Sequence, residues 1–136
     1  MQEDDLAAAF RALAEPRRLR TLRLLLEAPE TMCGCELADV LGVADYQVSR
    51  DLATLRGAGL VRDHGRTGTW VHYEPVTGTP VADAVAALVR ASTMHPDDRA
   101  RLALRLELPE QVGCVLGAGH PEMLTAFAGA GLPQHP

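Results

Sequence analysis

Thiol chemistry in this 136-residue chain rests on three cysteines: Cys33 and Cys35, separated by Gly34, and Cys114 far downstream. Thiolates are soft ligands that select thiophilic ions, and accessible low-pKa thiols are also the groups that oxidise selectively. A helix N-terminus lowers the pKa of a nearby cysteine. Cys35, just ahead of the helical spacing Leu37, Val40, Leu41, is placed for that effect. Positions i and i+2 of a regular helix point about 200° apart. Both sulfurs therefore grip one ion only if Cys33 precedes the helix or the first turn opens, and Gly34 makes either easier.

A second set of side chains has the chemistry of base reading. Val48, Leu52 and Leu55 recur at helical spacing after Asp45 and turn inward. Asp45, Tyr46, Gln47, Ser49 and Arg50 are then left at the N-terminal end of the helix, facing outward. Arginine and glutamine are the side chains that make paired hydrogen bonds to guanine and adenine. Arg66, in the turn sequence Gly65-Arg66-Thr67-Gly68, is within reach of a minor groove or a phosphate.

The elements that must position these groups follow from periodicity. Leu6, Phe10 and Leu13 share one face of a helix over 4–14, and Pro16 opens a second whose leucines continue to Ala28-Pro29. Residues 36–41 form a short helix stopped by Gly42, and 45–56 form a longer one with Asp45 as cap or first-turn acid. Residues 60–64 and 69–74 are rich in β-branched and aromatic types and make a hairpin. Pro80 opens an apolar helix suited to packing on a partner chain, and an amphipathic stretch with Arg99, Arg101 and Arg105 runs from Pro96 to about Leu106. After Pro109 the composition shifts to Gly, Ala and Pro, so 1–108 reads as the folded domain and 109–136 as a tail carrying Cys114. Helices, a short helix, a turn, a reading helix and a hairpin in that order make a mainly α fold with a small β-hairpin, a winged helix-turn-helix.

Composition bounds the class. The length allows one domain, and 47% apolar residues suffice for a core without disulfides or structural metal. No apolar run approaches the roughly 18 residues of a membrane span, and the acidic start, Met-Gln-Glu-Asp-Asp, is unlike a secretory signal, so the chain reads as cytoplasmic. Eighteen acids against thirteen arginines, a net charge of -5, argue against nucleic acid when taken alone. Position argues the other way, because Arg11, Arg17, Arg18, Arg20 and Arg23 form a basic run that, with Arg50, is available to phosphate.

Leu-Ala-Glu-Pro-Arg-Arg-Leu-Arg (13–20), Glu-Leu-Ala-Asp-Val-Leu-Gly-Val (36–43), Val-Ser-Arg-Asp-Leu-Ala-Thr-Leu-Arg (48–56), Gly-Leu-Val (59–61) and Trp-Val-His-Tyr (70–73) together resemble the ArsR/SmtB family of metal-responsive repressors. The resemblance implies a homodimer held by its first and last core helices, bound to palindromic double-stranded operator DNA without any cofactor, and released by an inducer. Met32-Cys33-Gly34-Cys35-Glu36-Leu37 resembles the inducer motif of arsenic- and cadmium-responsive members. Where such members often carry a further cysteine this chain has Ala38, and where they commonly carry serine it has Ala44. Trivalent arsenic prefers three thiolates, as the family's chemistry implies, which adds Cys114 to Cys33 and Cys35.

The expected function is a transcriptional repressor induced by arsenite, with antimonite, Cd2+ or Pb2+ as the other candidate ions. A redox- or persulfide-sensing repressor of the same fold is the alternative. A small thiol enzyme such as an arsenate reductase finds little support, since Cys-x-x-Cys on a βαβ pattern is absent. Residues 81–92 hold no histidine, which disfavours zinc, and His64 and His72 are expected to be ordinary surface residues of the hairpin.

Overall fold

The computed structural model describes residues 2–68 and 70–108. The elements run α1 (Glu3–Leu13), α2 (Pro16–Glu27), β1 (Met32–Cys33), α3 (Gly34–Leu41), α4 (Asp45–Gly57), β2 (Val61–Thr67), β3 (Trp70–Pro75), α5 (Pro80–Ala91) and α6 (Pro96–Leu106). The winged helix-turn-helix is thus present, with α3 and α4 as its helix pair and β2–β3 as its wing. Cys114 and the rest of 109–136 lie outside the described residues.

Local chemistry accounts for most boundaries. Pro16 occupies the first helical position of α2, and Glu15 caps it by accepting from the Arg18 amide at 3.0 Å. Gly42 ends α3 at φ +70, a left-handed conformation that disfavours any side chain with a Cβ. Thr79 caps α5 and His95 caps α6, each accepting from a backbone amide two or three residues on.

The helices close around one core. Ala9, Ala12 and Leu13 of α1 meet Leu22, Leu24 and Leu25 of α2, Leu37, Val40 and Leu41 of α3, and Val48, Leu52 and Leu55 of α4. Val85 and Val89 of α5 complete it. The stripe Leu6–Phe10–Leu13 faces only partly inward: Leu6 and Phe10 are exposed, Phe10 to 57%. The small residues Ala9 and Ala12 take the buried side instead, because α1 lies close against its neighbours. Leu88 on α5 is 63% exposed.

The hairpin expectation needs two corrections. Its turn is shorter than Gly65–Gly68, because β2 continues through Thr67, pairing Arg66 with Val71 and Thr67 with Trp70. Gly65, at φ +144, absorbs an irregularity in the register after Asp63, so the strand survives its own turn-like sequence. The sheet also has three strands in the order β1-β3-β2, because Met32 and Cys33 pair antiparallel with Tyr73 and His72. Two residues are too short a run for periodicity to reveal. Among the described residues, no helix is long and apolar enough to cross a membrane.

Candidate nucleic-acid interface and thiol site

With Val48, Leu52 and Leu55 buried, α4 presents Asp45, Tyr46, Ser49 and Arg50 to solvent. The Arg50 guanidinium lies over the Tyr46 ring, 5.5 Å from its centroid, and Tyr46 is 61% exposed. Gln47 is half-buried, and its Oε1 accepts from the Ala44 amide at 3.1 Å. Ala44, not Asp45, is the N-cap; it has no side chain to accept from the first-turn amides, and Gln47 makes only the reverse half of a capping box. Arg66 is exposed on the wing. Nearby wing and helix arginines are balanced by acids, Arg56 with Asp63 at 2.8 Å and Arg62 with Glu74 at 2.6 Å, and His64 Nδ1 lies 3.1 Å from Glu74.

The basic run is not a phosphate face. Arg17 is bound at two points to Asp51 of α4. Arg18 turns back to the carbonyls of Ala12 and Arg11, closing the α1–α2 corner. Arg20 is bound at two points to Asp98 of α6, at 2.7 and 2.8 Å. Arg23 reaches Glu27 and the carbonyls of Val89 and Ser92 at the end of α5. Arg11 is exposed, whereas the other four are half-buried cross-links between helices. Sequence clustering located the positive charge without its acidic partners, which lie up to 78 residues away.

The cysteine motif straddles two elements. Cys33 ends β1 and is the N-cap of α3; its amide donates to Glu36 Oε1 at 3.0 Å. It therefore precedes the helix, the condition under which two sulfurs spaced i, i+2 can converge. Cys33 is a free, buried thiol, and burial pushes its pKa up to about 11. Cys35 is half-buried in the first turn of α3, with Sγ 3.4 Å from Oδ2 of Asp45, the first residue of α4. Burial, together with the nearby Asp39 carboxylate, raises the Asp45 pKa. Cys35 is disulfide-bonded, so it can serve as a ligand only after reduction.

One neighbour went unread in the sequence. His72, expected on the surface, is buried, pairs directly with Cys33 across the sheet, and has Nδ1 3.2 Å from Thr31 Oγ1. Alternation along β3 could have placed it inward, but only with β1 known to cover that face. Among the described residues, no group of three His, Cys, Asp or Glu side chains could hold a metal ion. The described part of the motif holds Cys33 as a free thiol and Cys35 in a disulfide.

Residues 15–63 match the family described as bacterial regulatory protein, arsR family. The chain is 41% identical over 64 residues to an arsenic resistance transcriptional regulator of Pseudomonas putida, covering 47% of this chain and 48% of that one. It is 42% identical over 64 residues to the arsenical resistance operon repressor of Escherichia coli, covering 47% and 53%. An uncharacterized HTH-type transcriptional regulator of Methanocaldococcus jannaschii is 37% identical over 67 residues, 49% of this chain and 73% of its own. The chain thus spans about half the length of the two arsenic-related proteins.

Proposed function

The chain belongs to the arsR family of bacterial regulatory proteins, and from that premise we propose that it is a homodimeric, cytoplasmic transcriptional repressor that leaves its operator when a thiophilic ion binds its cysteines. The relatives it matches are named as transcriptional regulators rather than enzymes. The observation that carries the inducible part is the position of Cys35, 3.4 Å from the first residue of the reading helix. Cys33, two residues earlier, is paired with the wing strand. The motif therefore touches both elements that meet DNA.

Arg50, Ser49 and Tyr46 read base edges, with Asp45 and Gln47 shaping the start of the helix and Arg66 meeting the backbone from the wing. The second copy covers the apolar residues left outside by α1 and α5, Leu6, Phe10 and Leu88. Trivalent arsenic is the ion this donor set fits first, with Cys33 and Cys35 as ligands and Cys114 as the third; antimonite, Cd2+ and Pb2+ share the same softness. Leu108 lines a cavity with Glu36 and His72, the neighbours of Cys33. The chain that carries Cys114 thus leaves the described fold beside these neighbours of Cys33. An ion so bound draws sulfurs together; the chain transmits this by shifting Cys33 against β3 and Cys35 against Asp45. A coupling of about 1 to 3 kcal/mol suffices for regulation.

The test is release of a duplex, selected by the protein from a random pool, on adding arsenite to reduced wild type and to Cys33→Ser, Cys35→Ser and Cys114→Ser. Loss of response in all three is the expected result. A response retained by Cys33→Ser or Cys35→Ser overturns the site, and one retained by Cys114→Ser alone removes the third ligand.

The disulfide at Cys35 favours a second reading in which the thiols sense oxidants or persulfides. Release of DNA by peroxide or persulfide, with no release by arsenite under reducing conditions, selects it.

A further inference from the structure

The helix α6 lies beyond residues 15–63, and its inward side is charged. Asp98, Arg101 and Arg105 are all buried, and Arg105 has no exposed surface at all. Arg105 Nε donates to Asp39 Oδ2 at 2.8 Å, and both side chains are almost completely enclosed. Arg101 Nη1 donates to the Val40 carbonyl at 3.2 Å and rests on Gly42, so close that a Cβ there would stand 2.7 Å from it. These three contacts all fall on the last turn of α3 or on the bend that leads into α4. Asp98, one turn earlier on α6, is held by Arg20.

Stability alone does not explain such a contact. A buried ion pair is often no more stabilising than a well-packed apolar pair of the same volume. It does impose a single register, because sliding α6 along α3 would separate a buried carboxylate from a buried guanidinium at high cost. Leucines in the same places would tolerate the slip.

We propose that α6 is a brace for the helix-turn-helix, with Arg105 and Arg101 as positioning residues that fix how α4 is aimed at DNA. This rests on the DNA-binding reading given above. The cysteine motif lies at the N-terminal end of the eight-residue α3 and the brace grips the other end. The braced end is the fixed point against which a change at the thiols acts on the reading helix.

The test replaces the pair by apolar residues of similar size, Asp39→Leu with Arg105→Met, in the full chain. The thermal midpoint is expected to stay near that of the wild type. The Gly42 and Val43 amides, both bonded to the Ala38 carbonyl, are expected to exchange about tenfold faster, and affinity for a duplex selected by the wild type to fall about tenfold. Non-specific DNA binding and its salt slope should not change, because no phosphate contact is removed. Arg101→Met is expected to act in the same direction. Wild-type exchange and affinity in the double variant overturn the brace, and so does a marked loss of stability, which would make the pair a folding contact only. A wild type without sequence preference defeats the DNA-binding reading, while the exchange rates still decide the brace.

Discussion

Arg17 Nη2 donates to Asp51 Oδ1 at 3.2 Å while its Nε donates to Oδ2, so α2 is bound at two points to the back of the reading helix. Asp51 is buried and Arg17 half-buried. Removing the arginine strands a buried carboxylate, and Arg17→Ala is predicted to lower unfolding free energy by about 1 to 3 kcal/mol in urea titration. The slope of DNA affinity against salt should stay the same, because Arg17 meets no phosphate. A flatter slope would return the arginine to the DNA face.

Glu15 gives stability a defined pH dependence. Burial acts to raise its pKa, but the amides and charges of Arg17 and Arg18 outweigh it and hold the carboxyl below its ordinary 4.5. A lowered folded-state pKa means the contribution is complete above the unfolded value and fades as pH falls through the folded one. Glu15→Ala should therefore cost about 0.5 to 2 kcal/mol at neutral pH and less in acid well below 4.5, where only a neutral carboxyl accepts from the Arg18 amide. Urea midpoints of both proteins at the two pH values check this; an equal gap in acid refutes the lowered pKa.

The Cys33 thiol, raised to about 11 by burial, keeps its proton at neutral pH. Binding a soft ion displaces that proton, so affinity is predicted to rise about tenfold per pH unit from this residue alone. Cd2+ titration of the reduced protein, followed by sulfur-to-metal absorption, measures it. An affinity independent of pH excludes Cys33 as a ligand.

Gly42→Ala should be destabilising by about 1 to 2 kcal/mol from its φ of +70 alone. The new Cβ also displaces the Arg101 guanidinium. Gly42→Asn, which tolerates the left-handed backbone better, should be milder in thermal unfolding.

Phe10→Asp and Leu88→Asp each place a charge on an exposed apolar residue that the proposed second copy covers. Both are predicted to shift sedimentation toward monomer and to weaken operator binding. A dimer unaffected by either substitution would place the interface elsewhere.

Much of this architecture was legible in the chain. Val48, Leu52 and Leu55, with Gly42 before them and Gly57 after, specify the reading helix by local spacing, and local signals are those a single sequence expresses best. What escaped were non-local pairings. Nothing near Cys33 announces that it will pair with His72, and nothing near Arg105 announces Asp39, so α6 read only as an amphipathic stretch. The arginines from 17 to 23 misled for the same reason. Glu15 and Glu27 flank the run, but Asp51 and Asp98, which bind Arg17 and Arg20, are distant in the chain.

The bond between Arg105 and Asp39 spans 66 residues, and that separation sets an order of events during synthesis. Domains fold as the chain emerges, N-terminal parts first, yet Asp39 in the last turn of α3 does not meet the Arg105 guanidinium until α6 has been made. A nascent or prematurely terminated chain thus carries a complete reading helix and wing on an unbraced support. On the proposed brace, such fragments are predicted to bind DNA more weakly than a protein translated through α6.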